Sequence, residues 1–252
     1  MSKNIKIFIA AHKEVELPDK KGYIPLQVGA EGKKDLGYEK DNTKDNISLK
    51  NKNYCELTGI YWIWKNVKCD ITGLVHYRRY FFEKSRKHSL KDIVSEDRIK
   101  NILTEYDVIV PKKVRLIYKD VKTQFCKFHN EKDYLITREV IEKLYPDYLD
   151  AFDKVSKRKW LYPYNMIITK KAWFDEYSKW LFSVLFEVEK RVDISNYSDH
   201  QKRLFGFLSE RLFNVWLLKN NQLEIKELYV YNIQNSYFKQ RFMEIVKGII
   251  IH

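Results

Sequence analysis

Three short runs of this 252-residue chain are apolar at nearly every position rather than at alternate ones: NIKIFIAA at residues 4–11, DITGLV at 70–75 and YDVIV at 106–110. A strand with one wet face alternates. A strand that is apolar throughout must be covered on both faces, as in a sheet sandwiched between helices. Helical stretches fall between and after these runs. Residues 54–66, YCELTGIYWIWKN, are apolar on nearly every side and carry Lys65 in the last turn, where the helix dipole favours a cation. Residues 90–104 have Glu96 and Asp97 near their start, 138–156 break at Pro146, and 173–191 place Trp173, Tyr177, Trp180, Leu181, Val184, Leu185 and Val188 on one face. A last long helix is predicted at 201–219, and a short strand at 160–169 is entered through Pro163, Tyr164 and Asn165. Strands alternating with helices predict one α/β domain over residues 1–235, with a mostly parallel central sheet flanked by helices.

The remaining segments are punctuation or surface. Residues 18–53 are polar and turn-rich, with Gly22, Gly29, Gly32 and Gly37, and read as a functional loop or lid. Residues 236–252 form a basic tail: Phe238, Phe242, Ile245, Val246, Ile249 and Ile250 fall on one helical side, with Lys239, Arg241 and Lys247 elsewhere. That pattern suits a helix on an anionic membrane, a packing helix against the domain, or a partner contact. No run of about twenty apolar residues exists to span a bilayer, and the first residues lack a signal-peptide pattern. The expectation is a cytoplasmic protein, held at the inner face of the plasma membrane if the tail binds there. Cys55, Cys69 and Cys126 fit neither a disulfide framework nor a zinc site and read as reduced packing residues.

Forty-seven Lys and Arg against thirty-four Asp and Glu leave a net charge of +13, which favours anionic partners. No glycine-rich phosphate loop, HExxH, GxSxG or paired-cysteine metal motif is present. The chemistry is concentrated in GLVHYRRYFF at 73–82, where a buried strand ends in His76, Tyr77, Arg78 and Arg79. Arginine forks at a strand's carboxyl end suit a diphosphate; alternatively Arg78 pairs with Glu56 or Asp70 and pins helix to strand.

The segments YIPLQVGA, DNISLKN with YCELTGIYWIWKN, GLVHYRRYF and FGFLSERLFNVWL resemble a bacterial family first classed as a domain of unknown function, found in capsule and exopolysaccharide clusters and assigned as glycosyltransferases. The resemblance runs from about residue 5 to residue 218. It implies a Rossmann-like A-type glycosyltransferase domain that moves a hexosyl unit, galactosyl or galactofuranosyl included, from a UDP-sugar to a lipid-linked oligosaccharide acceptor. A-type enzymes hold the diphosphate through a metal on Asp-x-Asp. The matching triplet here is His76-Tyr77-Arg78, which has no carboxylate, so no metal ligand is assigned, no cofactor is expected beyond the donor, and metal dependence stays open.

The resemblance also places Ala10, Ala11 and His12 beside the nucleobase and ribose, Asn46 in a loop over the donor, and Asn165 in the sugar pocket. His12 could equally be a solvent-facing strand end, and Asn46 a turn residue. An inverting transfer needs a base. Glu210 leads the candidates, then Asp199, with His76 assisting at the diphosphate; Glu210 also fits an ion pair with Arg203 or Arg211. His129 and Asp133, with Arg203, are candidates for the acceptor side. Two other readings fit the charge: a nucleic-acid-binding module, against which no recognition-helix or RNP-like pattern is seen, and a non-catalytic sugar-nucleotide-binding scaffold.

Overall fold

The computed structural model describes residues 3–84, 89–234 and 249–250. Eight strands make the main sheet: β1 (Ile5–Ala11), β2 (Tyr23–Gln27), β3 (Glu39–Lys40), β4 (Ile71–His76), β5 (Arg79–Phe82), β6 (Val108–Pro111), β9 (Ile167–Lys170) and β10 (Ile225–Asn232). Between β6 and β9 in the chain, β7 (Val114–Leu116) and β8 (Trp160–Leu161) form a smaller sheet with β11 (Ile249–Ile250), in the order β11-β7-β8. The helices are α1 (Asn51–Tyr54), α2 (Leu57–Asn66), α3 (Glu96–Glu105), α4 (Val121–Phe128), α5 (Glu131–Leu144), α6 (Leu149–Ser156), α7 (Lys171–Glu189) and α8 (Leu204–Lys219).

The continuous apolar runs are buried on both faces. In β1, Phe8 and Ala10 belong to a core shared with α2, α7 and α8, whereas Ile5, Ile7, Ile9 and Ala11 pack with Ile99, Ile102 and Leu103 of α3. Strand β6 divides likewise, Val108 and Val110 to one side and Ile109 to the other. Gly73 lets β9 approach β4, because a Cβ there would fall 2.3 Å from the carbonyl oxygen of Ile167.

The sheet is not the mostly parallel one expected. Four ladders are parallel and six, counting the small sheet, are antiparallel. The reason lies in two insertions. Strand β9 runs against both β4 and β6, and β5 is joined to β4 by the two-residue loop Tyr77-Arg78, with His76 opposite Arg79. So short a loop can only make an antiparallel pair. Since β9 opposes both, β4 and β6 share a direction, and β1 shares it too. Their carboxyl ends therefore lie along one edge.

Several other expectations change. The predicted lid at 18–53 instead supplies β2 and β3, paired in parallel beyond β1. Its polar character is reconciled by Asp41, fully buried, whose carboxylate accepts from the Gly29 and Ala30 amides at 2.8 and 3.0 Å and from the Ser48 hydroxyl at 2.5 Å. Most of the helix expected at 54–66 is α2; its first residue, Tyr54, instead closes the short α1, and the chain breaks between them at Cys55 (φ 54°, ψ −134°). Strands β5, β7 and β10 were not anticipated. Most of the tail lies outside the described residues. Ile249–Ile250, placed on a helix from the sequence pattern, are extended and pair with β7. No helix among the described residues is long and apolar enough to cross a membrane.

Candidate active site

A cleft of about 430 Å³ opens at the carboxyl ends of β1 and β4, lined by Ala10, His12, Val28, Asn51, Lys52, Cys55, Glu56, His76, Tyr77, Arg78 and Arg203. Strand β1 delivers Ala10 and His12; β4 delivers His76; the β4–β5 loop delivers Tyr77 and Arg78. The break between α1 and α2 delivers Cys55 and Glu56, and a 3-10 turn ahead of α8 delivers Arg203.

The Tyr77 ring forms one wall. His12 meets it edge-on at 5.2 Å, and the Lys13 amine and Arg78 guanidinium stand 5.5 and 5.6 Å from its centre. Arg78, half-buried, has no carboxylate within 4 Å among the described residues. Neither alternative partner takes it: Asp70 accepts from the Asn4 amide, and Glu56 is engaged elsewhere. Across the cleft, Arg203 donates to the Cys55 sulfur at 3.1 Å, while burial pushes the thiol up to about 11 and keeps it protonated.

At the floor lies Glu56. Its carboxylate accepts a 2.7 Å hydrogen bond from the Asn165 side-chain amide and stands 3.8 Å from His76 Nε2. Asn165 is itself held: its Nδ2 also donates to the Gly206 carbonyl at 3.2 Å, and its Oδ1 accepts from the Ser209 hydroxyl at 2.7 Å. The positive φ at Cys55 turns the chain so that Glu56 starts α2. A non-glycine residue there stores about 1–3 kcal/mol of strain, a recurrent feature of functional sites. Gly206 leaves room for this turn, since a Cβ on it would lie 3.3 Å from the Cys55 sulfur.

Burial lowers the His76 pKa to about 4, outweighing the nearby Glu56 carboxylate that raises it. The ring is thus neutral at neutral pH, and its Nε2 has no hydrogen-bond partner. An unfolded histidine titrates near 6.5. The unfolded chain therefore takes up this proton first as pH falls, and native stability drops from about pH 6.5 down to about pH 4. From this residue the loss between about pH 7 and about pH 5 should be ~2 kcal/mol. Denaturant melts of wild type and His76→Gln at both pH values measure it; equal acid losses in the two proteins would refute the assignment.

The other sequence candidates lie around the cleft or away from it. Ala11 is fully buried in the sheet. Arg79 begins β5 and lays its guanidinium over the Tyr164 ring at 4.6 Å. Asn46 is a turn residue, bonded to the Lys44 carbonyl and the Ser48 amide. Asp199, exposed, reaches the rim only through a 3.4 Å pair with Lys52. Glu210 pairs with Arg211 at 3.1 Å. His129 is buried against Phe207 and stacks on His200 at 5.6 Å, and Asp133 accepts from the Tyr197 hydroxyl at 2.9 Å. Asn165 sits behind Glu56 rather than in the cleft wall. Asn51, Lys52, Cys55 and Glu56 were missed as site residues. The one signal for them was the polar Asn51-Lys52-Asn53 and Glu56 bordering an otherwise apolar helix.

A hard divalent cation on a diphosphate needs several oxygen ligands. The cleft offers one carboxylate, and among the described residues no three His, Cys, Asp or Glu side chains converge as a metal site.

The sequence profile described as "Domain of unknown function (DUF4422)" matches residues 6–221. Among solved structures, the chain is similar to the apo structure of WbbM, a bifunctional glycosyltransferase, with a TM-score of 0.86 and 32% identity. The match covers 92% of this chain and 46% of WbbM, so this chain spans about half the length of that protein. No curated protein matches the chain.

Proposed function

The chain belongs to the DUF4422 family, and from that membership and the cleft we propose that it transfers a hexosyl unit, such as galactosyl or galactofuranosyl, from a UDP-sugar to a lipid-linked oligosaccharide. The likeness to WbbM supports a glycosyltransferase role. A capsule or exopolysaccharide would be the product, made at the cytoplasmic face of the membrane.

The observation that carries the reading is that one carboxylate, Glu56, and three cations, Arg78, Lys52 and Arg203, line the same cleft. In the proposed reaction the acceptor hydroxyl oxygen bonds to the anomeric carbon as the bond from that carbon to the diphosphate oxygen breaks. The electron pair leaves on UDP. The acceptor attacks from the face opposite the leaving UDP, so the anomeric centre inverts, and its proton passes to Glu56. Arg78, with Lys52 and Arg203, takes the leaving charge through charge-assisted hydrogen bonds, the part that a bound metal plays in Asp-x-Asp enzymes. Ala10 lacks a bulky side chain, so the nucleoside can approach β1; Tyr77 offers it a ring face. Neutral His76, its Nε2 buried 3.8 Å from Glu56, backs the base rather than meeting the sugar. Asn165 and Ser209 act through Glu56 and are positioning residues.

The test is thermal unfolding with a panel of nucleotides, with and without EDTA. At a UDP concentration about 100 times its Kd, mass action adds ~2.7 kcal/mol, which should raise Tm by roughly 5 °C or more. The shift should survive EDTA. No shift with any nucleotide would remove the transferase reading, and a shift seen only with Mn²⁺ would remove the metal-free mechanism.

A further inference from the structure

The small sheet is two-sided. Val114 and Leu116 of β7 and Leu161 of β8 are buried, while the alternate positions Lys113, Arg115 and Ile117 are exposed. Ile117 is 54% exposed, a large aliphatic side chain left in water. Lys119 and Lys159 are exposed nearby. On the neighbouring strand Trp160 stands opposite Arg115 in the ladder, with the Arg158 guanidinium 4.4 Å and the Lys113 amine 5.4 Å from its ring. Lys113 reaches Glu227 at 3.6 Å. Arg115, Lys119, Arg158 and Lys159 have no carboxylate within 4 Å among the described residues.

We infer that this outer face of the small sheet docks on an anionic phospholipid surface. Clustered cations draw a protein to acidic headgroups, at about fivefold in affinity for each Lys or Arg near the surface. A nucleic acid would satisfy the charge as well, but it gives Ile117 no apolar phase to enter. A bilayer interface takes the isoleucine into its acyl boundary and tryptophan at headgroup level.

Two further placements agree. Strand β7 leaves the carboxyl end of β6, and β6 shares its direction with β1 and β4 through β9. The small sheet thus starts from the same sheet edge as the cleft, which is where a lipid-linked acceptor has to arrive; that link rests on the proposed function, whereas the docking itself does not. The described end of the chain also returns to this sheet, β11 pairing with β7.

The experiment is co-sedimentation of the full chain with phosphatidylcholine vesicles and with equimolar phosphatidylcholine and phosphatidylglycerol. Wild type should bind the mixed vesicles, weaken as salt rises, and ignore phosphatidylcholine alone. Arg115→Ala with Lys119→Ala should reduce the affinity roughly thirtyfold. Ile117→Asn, which changes no charge, should also weaken binding. UDP-induced thermal stabilisation in each variant reads the nucleotide site separately, so loss of vesicle binding and loss of the transferase reading remain distinguishable; unchanged far-UV circular dichroism and melting establish that the variants are folded. Equal binding to both vesicle types, or undiminished binding by the folded variants, would overturn the inference. So would homopolymeric RNA binding that the double variant abolishes while vesicles stay unbound.

Discussion

Glu56→Gln should lower sugar transfer by about a thousandfold, within the range a positioned general base supplies, and leave UDP affinity unchanged or slightly tighter. Glutamine preserves the side chain's length and can still accept from Asn165, so the 2.7 Å contact at the floor survives. What is lost is the capacity to take a proton. Binding should not suffer, because the exchange leaves in place the cations Arg78, Lys52 and Arg203 that would hold the diphosphate. Single-turnover transfer and UDP titration on the same preparation separate the two effects. Turnover within tenfold of wild type would mean the proton goes elsewhere, and Glu210, engaged with Arg211 on α8, would return as the candidate.

For Arg78→Ala the expectation is reversed: UDP affinity should fall by about ten- to a hundredfold, since a hydrogen bond to a charged group contributes about 1.5–3 kcal/mol. The unliganded protein should melt nearly as wild type does, because Arg78 forms no ion pair among the described residues. Arg78→Lys should recover only part of the affinity, a point charge replacing a two-pronged donor. Arg79→Ala is the control. Its guanidinium covers Tyr164 rather than the cleft, so its loss should touch stability and spare UDP binding. If Arg79→Ala weakens UDP as much as Arg78→Ala, the hairpin geometry is not what selects the diphosphate ligand.

Those two arginines show how far local pattern reaches. GLVHYRRYFF announces a buried strand that ends in charge, and β4 with His76 and Arg78 at its end is that strand. The pattern says nothing of the reversal after Arg78 that sends Arg79 into β5 and away from the cleft. The antiparallel direction of β9, a strand that the pattern at 160–169 does show, and the whole of β5 escape it for the same reason: an apolar run records that both faces are covered, not which way its neighbours run. Strand β10, IKELYVYN, has only alternate residues buried, so it lacked the continuous apolar signature used to find β1 and β6. At 18–53 the polar composition masked a segment whose one buried carboxylate, Asp41, ties its turns together.

The chain's own pattern determined the α/β class, the strands buried on two faces, the long helices α7 and α8, and the presence of His12, His76, Tyr77 and Arg78 at strand ends, because burial on both faces and helical periodicity are local properties of composition and spacing. The tertiary structure alone decided that Glu56 is the carboxylate of the site. Its orientation depends on Asn165, 109 residues away in sequence, and on Ser209 and Gly206 beyond that; Arg203 meets Cys55 across 148 residues. Contacts of that range follow from which strand pairs with which, a choice made by the packed core as a whole and written in no single window of sequence.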